Sequence, residues 1–199
     1  MKNLKKLFWV CSLLGTLSAA HGATINFSPT GIGTSPGGIM DGTYYYTWGI
    51  NWSVPTGNQI TAATLTYNNI QLTGFGNNNP GILWTHLLNT SSGSGTTSVT
   101  TGTDNDYGSD QFTTGLLGVE SFPTLNKAHN FYYNLNTTTL TAYAVDGHFA
   151  IGIDPDCHYT DSSIVLSITY SPQSTPDAGS TAMLLGIALP VLALFRRSK

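Results

Sequence analysis

Along the middle of this chain apolar residues return at every second position, and no long stretch carries them at every third or fourth. A period of two sends successive side chains to opposite faces of an extended strand, whereas an amphipathic helix needs about 3.6. Gln59 to Leu72 shows the pattern most fully, with Ile60, Ala62, Thr64 and Thr66 on one side and Ala63, Leu65 and Tyr67 on the other. His148 to Ile153 places Phe149, Ile151 and Ile153 on one face, and Ile164 to Tyr170 does the same with Ile164, Leu166 and Ile168. Tyr44 to Val54 is dense in aromatics and stops at Pro55-Thr56-Gly57; Ile82 to Leu88 is a compact apolar run; Asn130 to Leu135 is strand-like. Gly76-Asn77-Asn78-Asn79-Pro80-Gly81 marks a turn. Asn89 to Thr103 is low in complexity and reads as a flexible loop or weak edge strand, and Leu140 to Val145 as one helical turn or the start of a strand. There is no internal repeat. The expectation is an all-β protein of about eight strands, a single β-sandwich of jelly-roll or Greek-key type.

The charges bound the domain. Of seven basic residues, Lys2, Lys5 and Lys6 open the chain, Arg196, Arg197 and Lys199 close it, and only Lys127 lies between. At the N-terminus the lysines precede the apolar run Leu7 to Leu17. Small residues follow, with Ala20 and Gly22 at the −3 and −1 positions of a cut between Gly22 and Ala23. This is the pattern of a secretory signal peptide, residues 1–22, too short for a comfortable membrane span. Cys11 lies inside its apolar run and lacks the surroundings of a lipidation site. At the C-terminus a polar linker leads into Thr175-Pro176-Asp177-Ala178-Gly179, then an apolar run to Phe195, then Arg196-Arg197-Ser198-Lys199. As a helix, Ala178 to Phe195 would reach about 27 Å, just under a hydrocarbon core of roughly 30 Å. A transmembrane helix over about residues 180–195 would put the basic tip in the cytoplasm and the body outside.

The order of motif, apolar helix and arginine cluster resembles the PEP-CTERM class of bacterial sorting signals, closest to the variant written Val-Pro-Asp-Ser-Gly. Thr175 stands for the valine and Ala178 for the serine, and Ser180-Thr181-Ala182 continues the likeness. The resemblance implies a sorting signal over residues 173–199, with its motif at 175–182 and a basic stop at 196–199. It also implies an exosortase-type membrane protease as partner, and export to the cell surface or exopolysaccharide matrix of a biofilm- or floc-forming bacterium. Before processing, the C-terminal helix would anchor the chain in the membrane.

The intervening body, residues 23–172, holds nine acidic residues against Lys127 alone, so it is far more acidic than the net −3 of the whole chain. With Lys127 alone to meet phosphates it excludes a nucleic-acid surface, and attraction to anionic headgroups is equally excluded. Abundant aromatic and β-branched residues set it apart from a disordered acidic chain. Cys157 is its only cysteine, so no disulfide can form within it; the thiol is either buried or open to an intermolecular bond or a metal. Three pieces, Ile60 to Ile70, Leu83 to Leu88 and Asp146 to Tyr159, resemble a recurring β-sandwich domain of exported PEP-CTERM-type proteins. That likeness implies fold and class and no catalytic residue.

Two loops carry the chemistry worth weighing. In Asp154-Pro155-Asp156-Cys157-His158-Tyr159 the aspartates at i and i+2 point the same way on extended chain and Pro155 stiffens the link. Asp104-Asn105-Asp106-Tyr107-Gly108-Ser109-Asp110 alternates carboxylates around a glycine, without EF-hand spacing. If the loops meet, Asp104, Asp106, Asp110, Asp154 and Asp156 would share a structural Ca²⁺; Cys157 and His158 would instead suit Zn²⁺, and neither set is complete. Turn chemistry explains the same residues without an ion. The aromatics Tyr44, Tyr45, Tyr46, Trp48 and Trp52, with Trp84, form either a sugar-stacking platform or core packing. No nucleophile elbow or His-Glu-x-x-His occurs, and the histidines are scattered. The expected function is therefore that of a non-enzymatic surface or matrix protein, structural or adhesive, touching polysaccharide. The alternative is a carbohydrate-active enzyme using the loop carboxylates.

Overall fold

A computed structural model describes residues 22–30, 32, 39–74, 81–90, 99–104 and 108–173. The expected signal peptide up to residue 21, Asp106, the sorting motif, the C-terminal helix and the basic stop lie outside the described residues. No helix among the described residues is long and apolar enough to cross a membrane.

Among the described residues eleven strands, one short α-helix and a single 3-10 turn follow in chain order: β1 (Ala23–Phe27), β2 (Ile39–Met40), β3 (Tyr44–Asn51), β4 (Asn58–Gly74), β5 (Gly81–Leu88), β6 (Val99–Thr103), β7 (Leu116–Phe122), β8 (His129–Asn134), α1 (Thr137–Tyr143), the 3-10 turn (Ala144–Asp146), β9 (His148–Pro155), β10 (His158–Thr160) and β11 (Ser163–Pro172). They form two antiparallel sheets. One runs β1-β11-β4-β10-β2 with β8 also paired to β4; the other runs β6-β3-β9-β5-β7. Both give side chains to one core that includes Trp48, Phe149, Ile151 and Ile153 from the five-stranded sheet and Leu65, Tyr67, Ile164 and Leu166 from the other. The Tyr67 and Thr85 hydroxyls meet across it at 3.1 Å.

The structure departs from the sequence expectation in several places. β1 and β7 are strands the periodicity did not pick out. β6 resolves the low-complexity stretch as an edge strand over Val99–Thr103, paired to β3. Of the two readings of Leu140 to Val145, the helical one holds at Leu140: Asn136 caps α1 by accepting from the Thr139 amide at 3.0 Å, and Leu140 is its buried residue. The simple alternation of β4 is also corrected. Pairing with β11 passes from Ala62 to Ile60 and skips Thr61, and pairing with β8 jumps from Tyr67 to Ile70. Each bulge reverses which parity faces inward. Ile60, then Ala63, Leu65 and Tyr67, then Ile70 and Leu72 are thus all buried, while Ala62 is exposed. Asn69, at the second bulge, takes the left-handed conformation with φ 53° that asparagine tolerates better than most residues.

Candidate functional site

The two aspartate loops do meet. In β5 the inward side chains are Leu83, Thr85 and Leu87, which leaves Trp84 and His86 on the outer face of the five-stranded sheet. Trp84 stands opposite Asp154 of β9 on one side and Val119 of β7 on the other, so these three share that face. The stretch from Gly108 to Gly115 folds over it. Phe112 packs edge-on against Tyr45 (ring centroids 5.4 Å apart) and tilts against His86 (5.1 Å). Its ring also covers Gly152, where an added Cβ would lie 2.9 Å from it. At the end of the segment Gly115 is left-handed, φ 74°, and accepts from the Leu87 amide at 2.8 Å. A Cβ there would collide with the Leu87 carbonyl, so only glycine fits.

Backbone amides of this segment reach down to the carboxylates. Gly108 N–H donates to Asp156 Oδ1 at 2.8 Å and Gln111 N–H to Asp154 Oδ2 at 2.7 Å. The Gln111 side-chain amide donates to Asp104 Oδ1 at 3.1 Å. Asp110 folds back to accept from Phe112 N–H at 2.9 Å, and its Oδ2 lies 3.0 Å from His86 Nε2. That is ion-pair distance without hydrogen-bond alignment. The other His86 nitrogen is 2.8 Å from the Thr114 carbonyl. His86 is thus fully buried and holds both ends of the Asp110–Thr114 turn. Sequence reading passed over it; its position two places from Trp84, out of phase with Leu83 and Leu87, was the available signal.

Pro155 ends β9 in one sheet and His158 opens β10 in the other, so Asp156 and Cys157 form the corner where the chain crosses between sheets. The corner is tight: Asp156 N–H and Tyr159 O–H both donate to the Ile82 carbonyl at 2.9 Å, and Gly42 presses on the Asp156 backbone. Asp154 and Asp156 are fully buried, and Asp104 nearly so. Burial pushes the Asp154 carboxyl up to about 7, with the charges of Asp104, Asp110 and Asp156 adding to it against the Gln111 hydrogen bond. Burial likewise raises Asp156 to about 6, with Asp104 adding to it. Among the described residues, no three His, Cys, Asp or Glu side chains come together as a ready-made metal site. The Zn²⁺ pair is split as well: Cys157 is buried in the core, while His158 is exposed with Nε2 3.6 Å from Asp41.

The tryptophans separate. Trp48 is fully buried between the sheets because it faces inward on β3, so it belongs to the core rather than to any sugar platform. Trp52 is spent on packing against Phe27 and Tyr170. Trp84 is partly exposed.

No curated protein matches this chain. Residues 176–199 match the VPDSG-CTERM motif. The tail is a PEP-CTERM-like C-terminal sorting signal. The match begins at Pro176, after Thr175, which stands where the motif carries valine. A PEP-CTERM-like signal suggests export and handling by an exosortase-type system. It covers only the end of the chain and assigns nothing to the sandwich.

Proposed function

We propose that this chain is an exported, non-enzymatic β-sandwich protein of the cell surface or exopolysaccharide matrix, with a structural or adhesive role. The observation that carries the reading is the PEP-CTERM-like signal at residues 176–199. The acidic, charge-poor body suits it, since hydroxyl and amide surface makes weak contacts with polysaccharide. Trp84, partly exposed on the sheet face, is the tryptophan best placed to stack on a sugar. The burial of Asp154 and Asp156 weighs against the carboxylate hydrolase, because a general acid must reach the glycosidic oxygen. In this reading residues 1–22 are removed at Gly22–Ala23, residues 23–172 are the mature domain, and the C-terminal helix holds the chain in the membrane until sorting.

The test of sorting is the intact mass and cell fraction of the mature protein, in wild type and in a Pro176→Ala, Asp177→Ala variant. Wild type should lack the apolar tail and the variant should keep it. A full-length tail in both, fixed in the membrane, would make the segment a plain anchor. For the adhesive half, matrix polysaccharide titrated onto the protein should quench tryptophan fluorescence, and Trp84→Ala should remove most of that change. An unresponsive wild type counts against carbohydrate contact.

A further inference from the structure

We infer that the β9–β10 corner is a divalent-cation site, with calcium the best-suited ion and Asp154 and Asp156 as its two carboxylate ligands. Both side chains are fully buried, and each spends only one oxygen on the covering segment: Asp154 Oδ2 on Gln111 N–H, Asp156 Oδ1 on Gly108 N–H. The other oxygens, Asp154 Oδ1 and Asp156 Oδ2, are buried and have no hydrogen-bond partner. A buried carboxylate oxygen left without a donor is costly, and a cation bound by both would relieve that cost in the ionised state. Among the described residues no basic side chain supplies a balancing charge. Lys127 is the one Lys or Arg in the body, His86 is turned to Asp110, and His158 to Asp41. Asp104 lies beside the pair and adds a third negative charge to its surroundings.

Calcium fits this chemistry. It takes hard oxygen ligands, six to eight of them, and fills the places carboxylates leave open with main-chain carbonyls and water. Two carboxylates balance its charge, so the site needs no third acid. The neighbouring Gly108 and Gln111 amides already fix the orientation of both ligands, and that tie is what an ion would reinforce. Calcium binding would therefore hold the Gly108–Gly115 stretch against the sheet.

The experiment uses the full chain, stripped with EDTA and returned to buffer of constant ionic strength. Calcium chloride is titrated by calorimetry, and the melting temperature is followed alongside. One saturable site with an affinity of roughly 10⁻⁴–10⁻³ M or tighter is expected, and a rise of about 5 °C or more at saturating calcium. Magnesium at the same concentration should do less, because it demands a smaller, stricter cage. Asp154→Asn and Asp156→Asn should each abolish the saturable heat, whereas Asp146→Asn, remote and exposed, should not. If an aspartate variant does not fold, the wild-type titration still decides. No saturable heat, a response equal to that of added sodium, or a calcium response that survives both substitutions would overturn the inference.

Discussion

At the scale of single residues, Asp104, Asp154 and Asp156 are buried away from water, and other acids are partly so. Asp161, just after β10, shows the consequence apart from the clustered loop. Neither of its oxygens has a hydrogen-bond partner, and burial alone raises its carboxyl from 3.8 to about 6. A carboxyl whose pKa is higher folded than unfolded takes up a proton on folding. Its contribution to stability is therefore fully present below about pH 4 and is lost as pH rises through about 6. Asp161→Asn removes that loss. Against wild type in urea denaturation, the variant should gain about 1–2 kcal/mol at pH 7, discounted for partial exposure, and almost nothing at pH 3.5. An equal gain at both pH values would mean that ionisation is not the cause. The acidic residues were plain in the sequence. That Asp154 is fully buried and Asp161 partly so was not, because burial depends on what the rest of the chain lays over them.

Among elements, the stretch Gly108 to Gly115 before β7 decides what the outer face of the five-stranded sheet can do. In the sequence it reads as a turn-rich acidic loop, and the meeting of its amides with Asp154 and Asp156 was legible only as a condition. Phe112 supplies the apolar part of the closure, through Tyr45, His86 and the flat surface at Gly152. Phe112→Ala should destabilise the fold by only about 1–3 kcal/mol, since the ring is partly exposed. It should nevertheless speed hydrogen exchange at the Gly108 and Gln111 amides by an order of magnitude or more, ahead of amides in β9. Uniform acceleration across both would show that the segment does not open as a separate unit. β4 teaches the same lesson. Its apolar residues are all in view, but its two bulges are set by the strands beside it, so strict alternation assigned Ile60 and Ala62 to one face when only Ile60 is buried.

For the whole molecule, no strand among those described pairs with its neighbour in sequence, and the chain repeatedly crosses from one sheet to the other. Each ladder therefore closes a long loop before its contacts stabilise anything, the longest being β1 on β11. Refolding from denaturant should take milliseconds to seconds, slow for a domain of this size, and stopped-flow fluorescence of the buried Trp48 would follow it. Completion in microseconds would contradict a topology built on distant pairings. The β class, the acidic body and the sorting tail could be read from the chain alone, because side-chain period, composition and a contiguous signal are local properties. The motif at residues 176–199 needs no fold to be recognised. Which tryptophan is buried, which strand flanks which, and how Asp154 and Asp156 come to lie under the Gly108 and Gln111 amides were decided only in three dimensions. Those facts rest on contacts between residues far apart in sequence, and no local pattern encodes the partner.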